Sequence, residues 1–315
     1  MILGLWALVL GLWPFESLAH SLQTARANKD QRPKTKNQDQ TDRMISTRLT
    51  AAVYIFLLLA AVLSGTDARP TSTTVSSSKK TLRVMTYNIH VGVGMDKKLD
   101  LQRIADVING QHPDLVGLQE VDRGVKRTEG KDEIAELAKM TSMNFAFAHN
   151  LDYQGGQYGV AILSRFPIGA IDHRKYENKR EAERRGMIRI ELNVGGKTIN
   201  FVTTHLDYQS EDGRVFEAEQ LLGFLSAQKV PLIIVGDFND EPAGSAYKLM
   251  MAGFEDAWLR SGAKGGGLSY PADQPVKRID YILTRQPDRI RAKKAWVVNT
   301  LASDHLPIVA DLEIR

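Results

Sequence analysis

The stretch Leu232-Ile233-Ile234-Val235-Gly236-Asp237-Phe238-Asn239 opens on aliphatic residues and closes on an acid and an amide. An unbroken apolar run rich in β-branched side chains is the mark of a strand buried on both faces. Three other runs deliver polar side chains as they end: Val84-Met85-Thr86-Tyr87-Asn88, Leu115-Val116-Gly117-Leu118-Gln119-Glu120 and Phe201-Val202-Thr203-Thr204-His205. Two polar clusters come later, Arg278-Ile279-Asp280-Tyr281 and Ser303-Asp304-His305. Buried strands gain nothing by ending repeatedly in Asn, Glu, His and Asp unless those ends converge. A buried unpaired carboxylate is costly, so a converging set needs a cation or charged partners. The pattern points first to a metal-site enzyme.

Around these runs, strands alternate with amphipathic helices. Leu82–Asn88 reads as a strand, and Leu101, Ile104, Ala105 and Ile108 mark one helix face that stops at Asn109-Gly110 and Pro113. Asp114–Val121 is a strand, Ile134–Met140 a helix, and Val160–Ser164 and Arg185–Val194 are strands. Gly195-Gly196 signals a hairpin into Thr198–His205, and Glu211–Lys229 is a helix. Leu232–Asp237, Ile279–Thr284, Lys294–Val298 and Ile308–Ile314 complete the strands, and the glycine-rich loop Gly262–Pro275 is expected to be mobile. Hairpins beside helix-linked strands predict two mixed sheets packed face to face with helices outside.

Composition narrows the chemistry. The chain lacks cysteine, which excludes disulfides, thiolate zinc sites and a cysteine nucleophile. From Arg69 onward there are 34 Lys and Arg against 32 Asp and Glu, no basis for a strongly basic nucleic-acid surface. One local run, His173 to Arg189, is basic but interrupted by Glu177, Glu181 and Glu183. It reads either as a salt-bridged face or as a phosphate-facing rim.

The N-terminal quarter has its own layout. Met44-Ile-Ser-Thr-Arg48, the apolar Leu49–Leu63 and the small-residue exit to Ala68 have the form of a secretory signal peptide. Residues 1–43 then read as a mis-annotated upstream extension, 44–68 as the signal peptide or an uncleaved anchor, 69–80 as a flexible linker, and 81–315 as the catalytic domain. A secreted or periplasmic protein is expected, membrane-anchored if the signal is retained. No obligate protein partner is evident, and a monomer is expected.

Glu120 can offer an anionic oxygen to a hard cation, with Asn88 and Asp304 completing an oxygen-rich shell. Sparse oxygen ligation of this kind suits Mg²⁺, with Mn²⁺ as the other option. Taken singly, each of these residues also fits a cap, a turn or a surface position. His205 equally suits a satisfied, partly buried histidine, and Gly236–Asn239 a strand-ending turn. Asp280 and His305 form a possible acid–histidine pair, in which the carboxylate fixes the tautomer and favours the imidazolium.

Thr86-Tyr87-Asn88, Leu118-Gln119-Glu120, Gly159–Ser164, Thr204-His205-Leu206, Gly236–Asn239, Arg278–Tyr281 and Ser303–His305 together resemble, in order, the motifs of the endonuclease/exonuclease/phosphatase superfamily. The resemblance spans Thr81 to Arg315 and is closest to its compact secreted bacterial metal-dependent hydrolases. It implies an α/β fold, the four-layer α/β/β/α sandwich of the deoxyribonuclease-I-like type, with the site at one end of both sheets. By the same resemblance, Asn88, Glu120 and Asp304 hold the metal, and Asp237 orients or deprotonates the attacking water with Asn239. His205, and His305 held by Asp280, face the phosphate. Tyr176 and Arg185 are further phosphate contacts suggested by it, Tyr176 reading equally as a loop tyrosine.

The implied activity is metal-assisted, in-line hydrolysis of a phosphoester by water, most simply by a phosphodiesterase. A nuclease acting on DNA or RNA, a sphingomyelin or phospholipid phosphodiesterase with Leu268 and Tyr270 on an apolar loop, and a phosphomonoesterase are the other enzyme options. A non-catalytic binding module is the remaining class, and the filled constellation argues against it.

Overall fold

The computed structural model describes residues 81–286 and 289–315. The assignments made for residues 1–80 lie outside them. The elements run β1 (Thr81–Asn88), α1 (Leu101–Gln111), β2 (Leu115–Arg123), α2 (Glu133–Thr141), β3 (Asn144–Tyr153), β4 (Gly156–Ser164), β5 (Ile171–Lys175), β6 (Gly186–Val194) and β7 (Lys197–His205). They continue with α3 (Glu211–Leu225), β8 (Leu232–Asp237), α4 (Ser245–Met251), β9 (Glu255–Asp256), α5 (Ala257–Ser261), β10 (Asp280–Arg285), β11 (Ile290–Val297) and β12 (Ile308–Ile314).

Two six-stranded sheets form, in the orders β11-β12-β1-β2-β4-β3 and β5-β6-β7-β8-β10-β9. Both are mixed: β1–β2 and β7–β8 are parallel pairs, and the other pairs are antiparallel. Side chains alternate across each strand. Leu82, Val84, Leu115, Phe201, Ile233, Val235 and Ile282 therefore meet between the sheets in one core. Met85, Tyr87, Val116 and Leu118 face the opposite way, against Ile104 and Ile108 of α1 and Leu137 of α2. Val202, Ile234, Tyr281 and Leu283 pack against Leu221 of α3 and Met250 of α4. The result is the expected four-layer α/β/β/α sandwich.

Five elements went unread in the sequence: β3, β5, α4, β9 and α5. β3 is an edge strand whose run Phe145-Ala146-Phe147-Ala148 turns its large rings outward, Phe145 exposed, and buries only the small Ala146 and Ala148, so the apolar residues there do not mark a core face. The segment Gly262–Pro275, expected to be mobile, is stitched to the chain end that carries His305. Leu306 N–H donates to Ser269 O at 2.7 Å and Ala272 N–H to Asp304 O at 2.8 Å. Those main-chain bonds, invisible to a composition-based reading, are what hold it.

Candidate active site

Period-two alternation decides what gathers at one end of the inter-sheet core. Along the inner faces, Val84 is followed by Thr86 and Asn88, Phe201 by Thr203 and His205, and Val235 by Asp237, while Asp280 precedes Ile282. Register then juxtaposes the ends: His205 is the strand partner of Asp237, and Asp280 is its partner on the other side. Cross-sheet bonds close the floor, with Gln119 Nε2 donating to Thr203 Oγ1 at 2.8 Å.

Asp237 is the hub. Its Oδ1 accepts the Asn239 N–H at 2.8 Å, and its Oδ2 accepts Asn88 Nδ2 at 3.0 Å. The Asn88 amide also donates to Glu120 Oε1 at 3.0 Å, while its oxygen accepts the His90 N–H at 3.0 Å. Burial, reinforced by the neighbouring charge of Asp280, pushes the Asp237 carboxyl above its ordinary range.

His305 shows the opposite balance of forces. Burial alone would lower its pKa, but the negative charges of Asp280 and Asp237 raise it, favouring the imidazolium. Its Nδ1 lies 3.0 Å from Asp280 Oδ2 and its Nε2 lies 3.6 Å from Asp237 Oδ2. Ser269 Oγ donates to the same Asp280 oxygen at 2.6 Å, fixing it in place. Ligand atoms of Asp237, Asp280 and His305 lie within 4.8 Å of one another, a spacing that could also hold a metal. The internal hydrogen bonds and the cationic His305 favour a charge relay there instead.

His205 is neutral: burial first, then the positive charges of Arg185 and His305, lower its pKa well below the usual value. Arg185 Nη1 donates to its Nδ1. Its Nε2 lies 3.0 Å from Asn239 Nδ2 and 3.4 Å from Asp237 Oδ2. Asn239 Nδ2 lies beside the same edge of the ring and donates to Leu206 O at 3.0 Å.

Glu120, Arg185, His205, Asp237, Asn239, Asp304 and His305 line a single cleft of about 1000 Å³. Asn88 and Asp280 lie behind it, bonded to its wall. A bulge between Leu118 and Val121 interrupts β2, and Glu120 takes a left-handed φ of 56° there. Such a bulge re-aims a side chain at the end of a strand. Tyr176 is the exception among the expected site residues. It is 0% exposed on the outer face of its sheet, its hydroxyl 2.8 Å from Thr204 Oγ1 and its ring stacked on Phe224. Packing under α3 removes it from the cleft, so the phosphate-contact expectation is corrected. The cleft is lined instead by Tyr158 and Tyr208, and by His90, Arg127 and Lys277, none of which the sequence reading singled out as a contact, and by Tyr270, which it placed only on an apolar membrane-facing loop. Tyr158 stands immediately before the Gly159–Ser164 run, the one signal that pointed its way.

The fold agrees with comparisons to known proteins. A family model described as the Endonuclease/Exonuclease/phosphatase family matches residues 85–305. The chain belongs to that family. Its members are hydrolases acting on phosphoesters. Among its relatives is the uncharacterized protein YbhP of Escherichia coli K12, 28% identical over 251 residues, which cover 74% of this chain and 96% of that protein. A family structure from Beutenbergia cavernae matches with a TM-score of 0.61 at 24% identity, covering 75% of this chain and 72% of that one. The catalytic domain of human Nocturnin, solved with a bound sulfate anion, matches with a TM-score of 0.59 at 20% identity, covering 75% of this chain and 95% of that domain. Both structural likenesses speak to the fold.

Proposed function

We propose that this chain is a secreted, divalent-metal-dependent phosphodiesterase that cleaves a P–O bond by in-line attack of water. The observation that carries the reading is the hub itself: Asp237 held by Asn88 and Asn239, with a cationic His305 3.6 Å away and Arg185 on the neutral His205. Glu120, Asp304 and the Asn88 amide oxygen are hard donors at or beside the cleft. They suit Mg²⁺ or Mn²⁺, which when bound would neutralise phosphate charge and polarise the ester.

Asp237 orients the attacking water and takes its proton, a task favoured by a carboxyl whose pKa lies above the ordinary range. Asn239 holds Asp237 through its backbone N–H. His305, kept charged by Asp280, and His205 face the charge that develops on the phosphoryl oxygens. Preorganised donors of this kind are the largest single contribution in many enzymes.

Turnover of bis-p-nitrophenyl phosphate with Mg²⁺ or Mn²⁺, and its loss in EDTA, tests the metal-dependent activity. Asp237→Ala is expected to lower kcat by ~100-fold or more. A drop under ~10-fold, or about 1.4 kcal/mol of barrier, contradicts the role given to Asp237. The basic–apolar–small layout from Met44 to Ala68 supports export. Sequencing the N-terminus of the exported protein tests it, and a mature chain that keeps Ile2–Phe15 rules out a start at Met44.

A further inference from the structure

The walls of the cleft bear on which phosphoester it takes. Among the described residues its lining holds seven carboxylates against four Lys or Arg side chains. Three of the four cations already have anionic partners. Arg127 makes a two-pronged bond to buried Asp122 at 2.7 and 2.9 Å. Arg185 lies 3.2 Å from Glu183, and Arg214 lies 3.3 Å from Asp240.

The basic run His173–Arg189 does not supply a phosphate track either. Arg174 pairs with Asp172 at 2.8 Å, Arg180 with Asp207 at 2.7 Å and Arg184 with Glu177 at 3.4 Å. Arg189 donates to Asn200 Oδ1 at 3.0 Å. Of this run's Lys and Arg residues, Arg185 alone lines the cleft. A nucleic-acid strand needs a row of cations matched to successive phosphates, and four cations on the described lining, three of them already paired, supply little of one.

What surrounds Arg185 is of another kind. The Tyr208 ring, 59% exposed, lies 6.0 Å from the Arg185 guanidinium, and Tyr158 and Glu183, hydrogen-bonded to each other, line the same cleft. A guanidinium, a carboxylate and two phenols set donors beside acceptors over a short span. An alcohol with several hydroxyls, each both donor and acceptor, matches that arrangement. Tyrosine faces also cover the C–H side of such a molecule.

Resting on the phosphodiesterase reading, we infer that the substrate is a small, soluble phosphodiester of a polyol or sugar, its alcohol held by Tyr158, Glu183 and Tyr208. Water adds to phosphorus, the P–O bond to one alcohol breaks, and the products are a phosphomonoester and a free alcohol.

The test compares kcat/KM with Mg²⁺ for glycerophosphoglycerol, glycerophosphoinositol, bis-p-nitrophenyl phosphate, plasmid DNA and a single-stranded RNA, the polymers counted per phosphodiester. At least one polyol diester should exceed both polymers by ~10-fold or more. Its kcat/KM should fall far less steeply with salt than that of the polymers, whose binding releases condensed counterions. Tyr208→Ala and Glu183→Gln should each reduce the ratio of polyol-diester to bis-p-nitrophenyl activity by ~10-fold. Tyr208 is surface-exposed, so its variant keeps the test valid if Glu183→Gln fails to fold. Faster turnover of DNA or RNA, or an unchanged ratio in a folded variant, overturns this inference alone. No turnover of any ester overturns the phosphodiesterase reading and the inference with it.

Discussion

Glu133 is 0% exposed in the first turn of α2, where Oε2 accepts the Asp122 N–H at 2.7 Å and Oε1 has no hydrogen-bond partner among the described residues. Burial pushes its carboxyl up to about 8, and Glu217, holding the Asp207 N–H, is pushed up to about 8 in the same way. Each group is protonated in the folded chain at neutral pH, whereas the unfolded chain releases the proton near pH 4.5, the ordinary value. The folded state thus binds more protons between those values, so stability falls as pH rises from about 4.5 to about 8 and then levels. Each group contributes a slope of at most about 1.4 kcal/mol per pH unit. Glu133→Gln keeps the shape without the titration. Urea midpoints at pH 5 and pH 8 should lie closer together in that variant than in the parent chain. An equal gap in both would exclude Glu133 as the group responsible. None of this is legible in the sequence, where Glu133 is one acid on a helix face. Its burial is set by α2 docking against β2.

At the scale of strands, much of the site was legible because a period of two carries face information. Once β1, β7 and β8 are read as buried strands, Asn88, His205 and Asp237 must share the face of Val84, Phe201 and Val235. Tyr176 fails the same logic: it follows the edge strand β5, where no apolar run announces which face is which. The aim of Glu120 was also hidden, since a bulge shows only when two strands are paired. Gly117 in β2 tests how closely the sheets approach. A Cβ there would lie 2.7 Å from Thr203 Oγ1 and 2.9 Å from Thr203 Cβ, and would strike the Val235 side chain as well. Strand propensity favours alanine over glycine, so a clash is the reason for the opposite result. Gly117→Ala should destabilise by roughly 1–3 kcal/mol, measured by urea unfolding. Val235→Ala in the same chain should recover part of that loss, the signature of a direct contact. A Gly117→Ala chain as stable as the parent would show that the sheets can part there at little cost.

Across the whole domain, two apolar sheets carry the structure and one polar end carries the chemistry, so stability and activity separate. The inter-sheet core from Leu82 to Ile314 needs no ion to form, because its side chains are apolar and buried. The polar end is different. Glu120, Asp237 and Asp304 share one cleft, and their charges act together on the Tyr270 hydroxyl, raising its pKa behind the larger effect of burial. Carboxylates gathered in this way repel one another, and a divalent cation that binds only the folded chain relieves the repulsion. Such binding stabilises by an amount that grows with the logarithm of concentration, about 2.7 kcal/mol at a hundred times Kd. For a domain of this size each kcal/mol is worth roughly 2–4 °C in Tm. Mg²⁺ or Mn²⁺ titrated into the metal-free protein should therefore raise Tm by several degrees, while the EDTA-treated chain still unfolds cooperatively. Glu120→Gln should remove most of the rise and leave the metal-free Tm equal or higher, since one of the repelling charges is gone. This readout needs no substrate. An identical metal-dependent rise in parent and Glu120→Gln would place the ion elsewhere, and no rise with either metal would mean that the cleft's carboxylates do not form a cation site.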